Sequence, residues 1–170
     1  MKIIEYEEAF QEAVKDLLVQ LQAYLVQIDP LGIQALPEEY RERYFQLTME
    51  ALAAHQGNLL LAVEKERVIG LVAGIIEAKD EVDRLTNRCP KRGKVTELVV
   101  EQSMRGAGIG QKLLREMETF LSAQGCEQIA IDVFAPNQTA LRFYGGNGYA
   151  PRNIEVMKPL LNQNEGERNI

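Results

Sequence analysis

Apolar positions along this chain change their spacing several times, and each change marks an element. The opening "KIIEY" predicts a first strand. Over residues 8–27, Phe10, Val14, Leu17, Leu18, Leu21 and Leu25 recur three or four apart, the spacing of a one-sided helix. "DPLGIQALP" breaks that pattern with two prolines and a glycine. A second helix is expected over residues 37–56, with Pro37 at its start and Gly57 just past its end. "NLLLAVE" and "RVIGLVAGIIEAK" read as two strands joined by the polar "KER", an antiparallel hairpin. Residues 80–94 form a long charged loop, of a length that is often functional.

"VTELVVE" is the next expected strand, followed by the glycine-rich turn "MRGAGIG" and a helix over 108–124. The apolar stripe of that helix is Leu113, Leu114, Met117, Phe120 and Leu121, and Gly125 ends it. "QIAIDVF" predicts a strand, and "PNQTALRFYGGNG" a short helix capped by Asn137. "YAPRNIEVMKPL" closes with one or two short strands. The strand–turn–helix–strand unit over 95–133 predicts a parallel crossover, so the sheet is mixed. The fold class is therefore α/β (α+β), with a central sheet of about six to seven strands flanked by helices. One domain is expected over residues 1–160, with a polar tail over 161–170.

Composition narrows the function. A formal charge of −6 argues against a nucleic-acid groove, which needs a basic field. The N-terminus carries acids early and has no long apolar run, so neither a signal peptide nor a membrane anchor is expected, and the cytoplasm is the default compartment. Cys89 and Cys126 make neither a metal-ligand spacing nor a disulfide framework. Cys126 reads as a small buried hydrophobe. The single histidine, His55, sits at the end of the second helix, where a cation suits the helix dipole, and is not a catalytic candidate.

The glycine turn carries the chemistry. Gly106, Gly108 and Gly110 stand at a strand-to-helix junction. The first amides of a helix have no intrahelical acceptor and lie at the positive end of the dipole. Without side chains in the way, a phosphate can reach them. A triphosphate-binding loop needs GxxxxGK[ST], which does not occur. A dinucleotide fingerprint needs GxGxxG, and Gln111 stands where its third glycine belongs.

"MRGAGIG" resembles instead the acyl-CoA-binding motif [RQ]-x-x-G-x-[GA] of the GNAT superfamily of N-acetyltransferases, with Arg105, Gly108 and Gly110 at the specified positions. A second segment, "NQTALRFYGGNGYA", is similar to the family's N-x-x-A-x-x-[FL]-Y-x-x-x-G-[FY], through Asn137, Ala140, Phe143, Tyr144, Gly148 and Tyr149. The order and separation of the two match the family's. The resemblance implies an acetyl-CoA-dependent N-acetyltransferase acting by direct attack of a primary amine, with acetyl-CoA as cosubstrate and no metal. It implies that the turn Arg105, Gly106, Ala107, Gly108, Ile109 and Gly110 holds the pyrophosphate. It also implies that Leu98, Val99 and Val100 offer main-chain groups to pantetheine and the acetyl carbonyl, where two parallel strands splay. Asn137 would bond the CoA arm, and Tyr144 would act as general acid toward the departing sulfur.

A lysine-like amine has a pKa of about 10.4 and must lose a proton before attack. Glu97, a charge among apolar strand residues, and Asp132, five residues before Asn137, are the candidate bases, with water as a third route. Lys112 and Arg115 read as a solvated helix face. Residues 27–57 and 80–94 would shape the acceptor side, but their mixed charge selects no acceptor. A homodimer is compatible with the family, and no nucleic-acid or membrane partner is expected. The rival readings are a non-catalytic acyl-CoA sensor, which would not need Tyr144 or a carboxylate, and a nucleotide-dependent oxidoreductase.

Overall fold

A computed structural model describes residues 1–86, 88 and 91–158; Cys89 and the expected tail over 161–170 lie outside them. Five strands build one sheet in the order β1-β2-β3-β4-β5. They are β1 (Lys2–Glu5), β2 (Asn58–Glu64), β3 (Arg67–Ile76), β4 (Arg92–Val100) and β5 (Gln128–Ile131). Neighbours from β1 to β4 run antiparallel, and β4 pairs with β5 in parallel. The hairpin β2–β3 turns on Lys65 and Glu66, both in the left-handed region, which matches the twist of the strands it joins.

The two faces of the sheet are covered by different helices. Alternate residues of β2 serve both. Leu59, Leu61 and Val63 join Val14, Leu17 and Leu18 of α1 (Gln11–Ile28) and Phe45 and Leu52 of α2 (Tyr40–Ala54). Leu60 and Ala62 join Leu113, Leu114, Met117 and Leu121 of α4 (Ile109–Ala123), the crossover from β4 to β5. A strand buried on both faces reads as a near-continuous apolar run, which explains "LLLAV". Phe10 lies in a short 3-10 turn (Glu8–Phe10) before α1 and still packs against the core. Lys15 of α1 is buried, held by Glu12 at 3.0 Å and Glu42 at 2.6 Å and lying over the Phe45 ring.

Three expectations need correction. The loop over 80–94 contains a short helix, α3 (Glu81–Thr86), started where Asp80 accepts from the Asp83 amide, and β4 already begins at Arg92. The strand expected over 128–134 ends at Ile131. No strand forms over 149–158, so the sheet has five strands among the described residues rather than six or seven. Pro151 has no N–H to give a ladder, and Ile154 and Val156 stand 81% and 86% exposed. Their alternation is strand-like, but β propensity stabilises a strand only against a partner.

Gly57, at the end of α2, shows how tightly the helix is drawn onto the sheet. A Cβ there would sit 2.6 Å from the carbonyl oxygen of Gly74 and 2.7 Å from Leu52. Gly57→Ala is expected to lower the melting temperature by several degrees, for about 1–3 kcal/mol of overpacking. A thermal melt of the variant beside the parent checks it.

Candidate active site

β4 and β5 form a ladder only from Arg92↔Gln128 to Val95↔Ile131. β4 then continues through Val100 with no β5 residue beside it. The orientation of its free groups follows from the other side. The Glu101 amide donates to Ile69 O at 2.9 Å, so that pair is hydrogen-bonded. Alternation along an antiparallel ladder then turns the main chains of Val99 and Glu97 toward β3. Those of Leu98 and Val100 face the opening, while Val99 is turned away from it. Arg105 occupies part of this edge, since its Nε donates to Val100 O at 3.1 Å and its guanidinium lies over the Tyr24 ring of α1.

The glycine turn lies directly beyond this edge. Gly106 (φ 83°) and Gly108 (φ 75°) both adopt left-handed backbone, and space is open where their side chains would be. Gly108 precedes α4, and no side chain caps the helix. The first i→i−4 bond of the helix runs from Lys112 N–H to Gly108 O, which leaves the amides of Ile109, Gly110 and Gln111 without an intrahelical acceptor. Ile109 buries its side chain in the core and thereby fixes the helix start. Gly110 has ordinary helical backbone; a Cβ there would touch Phe143 and Val100 at 3.6 Å. Ala107 is exposed, as are Lys112 and Arg115. Gln111, the residue that breaks the dinucleotide fingerprint, donates to Asn147 at the end of α5 (Gln138–Gly146).

Glu97 is buried, and its direction depends on an irregularity. Ala73 pairs with Glu97 but Gly74 pairs with Val95, so Thr96 is a bulge residue. The extra residue puts Val95 on the α4 face and Glu97 on the face of α1 and α2. There the Tyr44 hydroxyl donates to Glu97 Oε1. Tyr40, one turn earlier, stacks on Tyr44 with ring centroids 4.6 Å apart. Burial raises the Glu97 carboxyl from its usual 4.5 to about 7, against the pull of the Tyr44 bond. Tyr44 and Tyr40 hold their protons beyond the ordinary phenol range, through burial first and the Glu97 charge second.

Tyr144, on α5, packs against the α4-side cluster and meets Phe143 and Tyr149 edge-on. Burial, then the charge of Glu97, pushes its phenol up to about 12. The charge of the base candidate thus acts on the acid candidate although the two belong to opposite faces of the sheet. They do so where β5 has ended. Tyr149 is tied to Glu118 at 2.8 Å, so Tyr144 is the tyrosine of this pair with no hydrogen-bond partner among the described residues. Asn137 caps α5 by accepting from the Ala140 amide at 3.1 Å. Asp132 stands at the end of β5 with its side chain 84% exposed, in an ion pair with Lys94 at 2.5 Å. His55 ends α2, where its carbonyl accepts from the Ile76 amide. Among the described residues no group of three or more His, Cys, Asp or Glu could hold a metal ion, and no helix is long and apolar enough to cross a membrane. Tyr44 and Tyr40 escaped the sequence reading; their only signal was a tyrosine pair four apart at the start of the second helix.

The family model described as "Acetyltransferase (GNAT) family" matches residues 22–149. The chain belongs to the GNAT acetyltransferase family. It is an acyltransferase that moves an acetyl group from acetyl-CoA to an amine. Glucosamine 6-phosphate N-acetyltransferase 1 of Oryza sativa is 27% identical over 119 residues, 68% of this chain and 67% of its own length. A mutant of the BH1408 protein of Bacillus halodurans has a similar structure, with TM-score 0.81 and 22% identity, covering 95% of this chain and all of its own. So does an aminoglycoside N-acetyltransferase crystallised with CoA, with TM-score 0.65 and 17% identity over 94% of this chain and 100% of that one. At such identities the structures show a shared GNAT fold.

Because the folded value for Glu97 lies above the unfolded one, the folded state binds its proton more tightly. The resulting stability is complete below about pH 4.5 and is lost as pH rises through about 7, a change on the order of 3 kcal/mol. Glu97→Gln removes that dependence. Urea unfolding of the GNAT enzyme and this variant at pH 5 and pH 8 is expected to show the variant gaining on the parent only at the higher pH. A stability difference that does not change with pH would contradict the burial argument.

Proposed function

We propose that Glu97 is the general base and Tyr144 the general acid of this acetyltransferase. The observation that carries the reading is a buried carboxylate on β4, beyond the end of its ladder with β5, and a half-buried phenol on α5 that has no hydrogen-bond partner among the described residues and is pushed up by burial and then by the Glu97 charge. When bound, acetyl-CoA supplies a thioester, with an electrophilic carbonyl carbon and a thiol leaving group. The residues present fit it. The free amides at the start of α4 and the open space over Gly106 and Gly108 suit a pyrophosphate. The main-chain groups of Leu98 and the Val100 amide, which face the opening and have no β5 partner, suit an amide-bearing arm laid along the strand edge, while Arg105 holds the Val100 carbonyl. Arg105, Ala107, Ile109 and Gly110 complete the turn, Val99 holds the edge against β3, and Asn137 fixes the start of α5 on the other side.

Magnitudes favour Glu97 over an ordinary carboxylate. Moving a proton from an amine of pKa about 10.4 to a group near 7 costs roughly 4–5 kcal/mol; to an unshifted carboxylate it costs roughly 8. Asp132 is exposed and engaged with Lys94, and we assign it to holding the strand ends together. Tyr144 answers to Glu97 in turn. A proton arriving on Glu97 removes the charge that helps hold the phenol proton, so the acid strengthens as the base is filled. An amide aimed at the acetyl oxygen from the open edge of β4 would stabilise the charge that develops there. The same carboxylate gives no reason for a CoA sensor, since a protein that only bound CoA would gain nothing from burying one.

The acceptor is identified by free-thiol release from acetyl-CoA against a panel of amines. The panel should span polyamines, amino acids, peptide N-termini, an aminoglycoside and glucosamine 6-phosphate, the last two because relatives bear their names. With an accepted amine, kcat/KM is expected to rise through an acid limb centred near pH 7. Glu97→Gln should lower kcat by about 10²–10⁴ and abolish that limb. Tyr144→Phe should lower kcat by roughly 10–100-fold. Gly108→Val should instead raise KM for acetyl-CoA, because a β-branched residue is strained in left-handed backbone. An unchanged acid limb in Glu97→Gln would transfer the role of base elsewhere.

A further inference from the structure

We propose that Tyr44, through its hydrogen bond to Glu97, is a positioning residue that sets when the base can take a proton and where it points. The inference rests on Glu97 being the base. It starts from geometry. The Tyr44 hydroxyl donates to Oε1 of Glu97 across 53 residues of sequence, between the middle of α2 and the sheet. The ring of Tyr44 is fixed by its stack with Tyr40, and the next residue, Phe45, is buried at 7% exposure in the α1–α2 core. A donor held this firmly leaves the carboxylate little freedom. With Oε1 occupied, Oε2 is the oxygen left to accept from an incoming amine.

Few other groups compete for that control. From α2, Glu97 faces Tyr44 and Tyr40; from α5, Tyr144. Its partner on β3 is Ala73; the buried positions of α1 are Val14, Leu17 and Leu18, which are apolar, and Lys15, whose ammonium is engaged by Glu12 and Glu42. On its own strand Lys94 is engaged with Asp132. Among the described residues Tyr44 is therefore the one group that stabilises the ionised form by direct contact and opposes the effect of burial on the carboxyl. A hydrogen bond to a charged acceptor moves a titration by about one unit or more. Without it the carboxyl would stay protonated well past neutrality and be a base in few molecules at pH 7.

The test reads the carboxyl directly. In the enzyme carrying carbon-13 glutamate, the Glu97 side-chain signal, assigned by its absence from Glu97→Gln, is titrated in the parent and in Tyr44→Phe. The expected midpoint in Tyr44→Phe is higher by about one unit. The acid limb of kcat/KM should move with it, giving roughly five-fold loss at pH 7 and near-parental rates at high pH. KM for acetyl-CoA should not change. Replacing Tyr44 by 3-fluorotyrosine, a stronger donor of nearly the same size, should move both midpoints the other way, and it remains informative if Tyr44→Phe folds poorly. Unmoved midpoints in both variants, with Glu97→Gln still inactive, would overturn the role of Tyr44 alone. A Glu97→Gln enzyme that kept parental activity would overturn the assignment of the base instead.

Discussion

A strand edge without a ladder partner leaves amides and carbonyls to find other acceptors and donors, and a sheet interior normally avoids it. β4 accepts this condition from Leu98 to Val100, because β5 stops at Ile131 while β4 runs on. Other features of the site depend on that parting. It exposes the main chain of β4 next to the turn before α4. It lets Tyr144, packed with the α4-side cluster, sense a carboxylate that points to the opposite face. The short β5 that frustrates a simple reading of "QIAIDVF" is therefore the feature that makes room for chemistry.

The bulge at Thr96 decides what enters that room. Strand side chains alternate, so one extra residue reverses every later side chain. Without it, Glu97 would share a face with Val95 and meet Leu113 and Met117 of α4, where an ionised carboxylate has no donor. With it, Glu97 meets the hydroxyl of Tyr44. Burial and a single donor then oppose each other. The outcome is a carboxyl that titrates near neutrality, which neither a solvated surface nor a fully satisfied core would produce.

Local signals were legible and long-range ones were not. The stripe from Leu113 to Leu121, the hairpin β2–β3 and the turn at Gly106 and Gly108 follow from spacing and backbone sterics within a dozen residues, and they stand where the sequence puts them. The two segments that resemble the GNAT family, around Arg105 and around Asn137, lie on elements that converge. Pairing partners were harder. Ile154 and Val156 alternate like a strand, yet nothing local tells whether an edge will receive them. The bulge at Thr96 depends on register with Ala73 and Gly74, so periodicity alone could not say which face Glu97 takes. Asp132 stood beside Glu97 as a second candidate in the sequence; the exposure of Asp132 and the placement of Lys94 beside it separate an ion pair from the buried carboxyl of Glu97. Tyr44 was invisible because a tyrosine on a helix announces packing, and its partner is far away in the chain.

That distance makes α2 part of the chemistry, and the means by which α2 is held then matter. Arg41 reaches Glu12 and Asp16 of α1, but such exposed ion pairs are worth little each. Lys15 is different. Its buried side chain lies over Phe45 and its ammonium is held by both Glu12 and Glu42 at the rim of the α1–α2 contact, so losing both carboxylates would leave that charge without a partner. Phe45 and Leu52 supply the apolar contact, and Gly57 lets the helix end close against β3. These contacts fix the rotation of α2 about its axis. Tyr44 follows Arg43 and precedes Phe45, so the rotation that buries Phe45 also presents Tyr44 to Glu97. The proton affinity of Glu97, the proposed base, is in this sense set by packing on the α1–α2 face, whereas the glycine turn proposed to hold the donor depends on α4 and the opposite face. In the proposed reading the two halves of the reaction are built on separate cores and meet where β4 and β5 part.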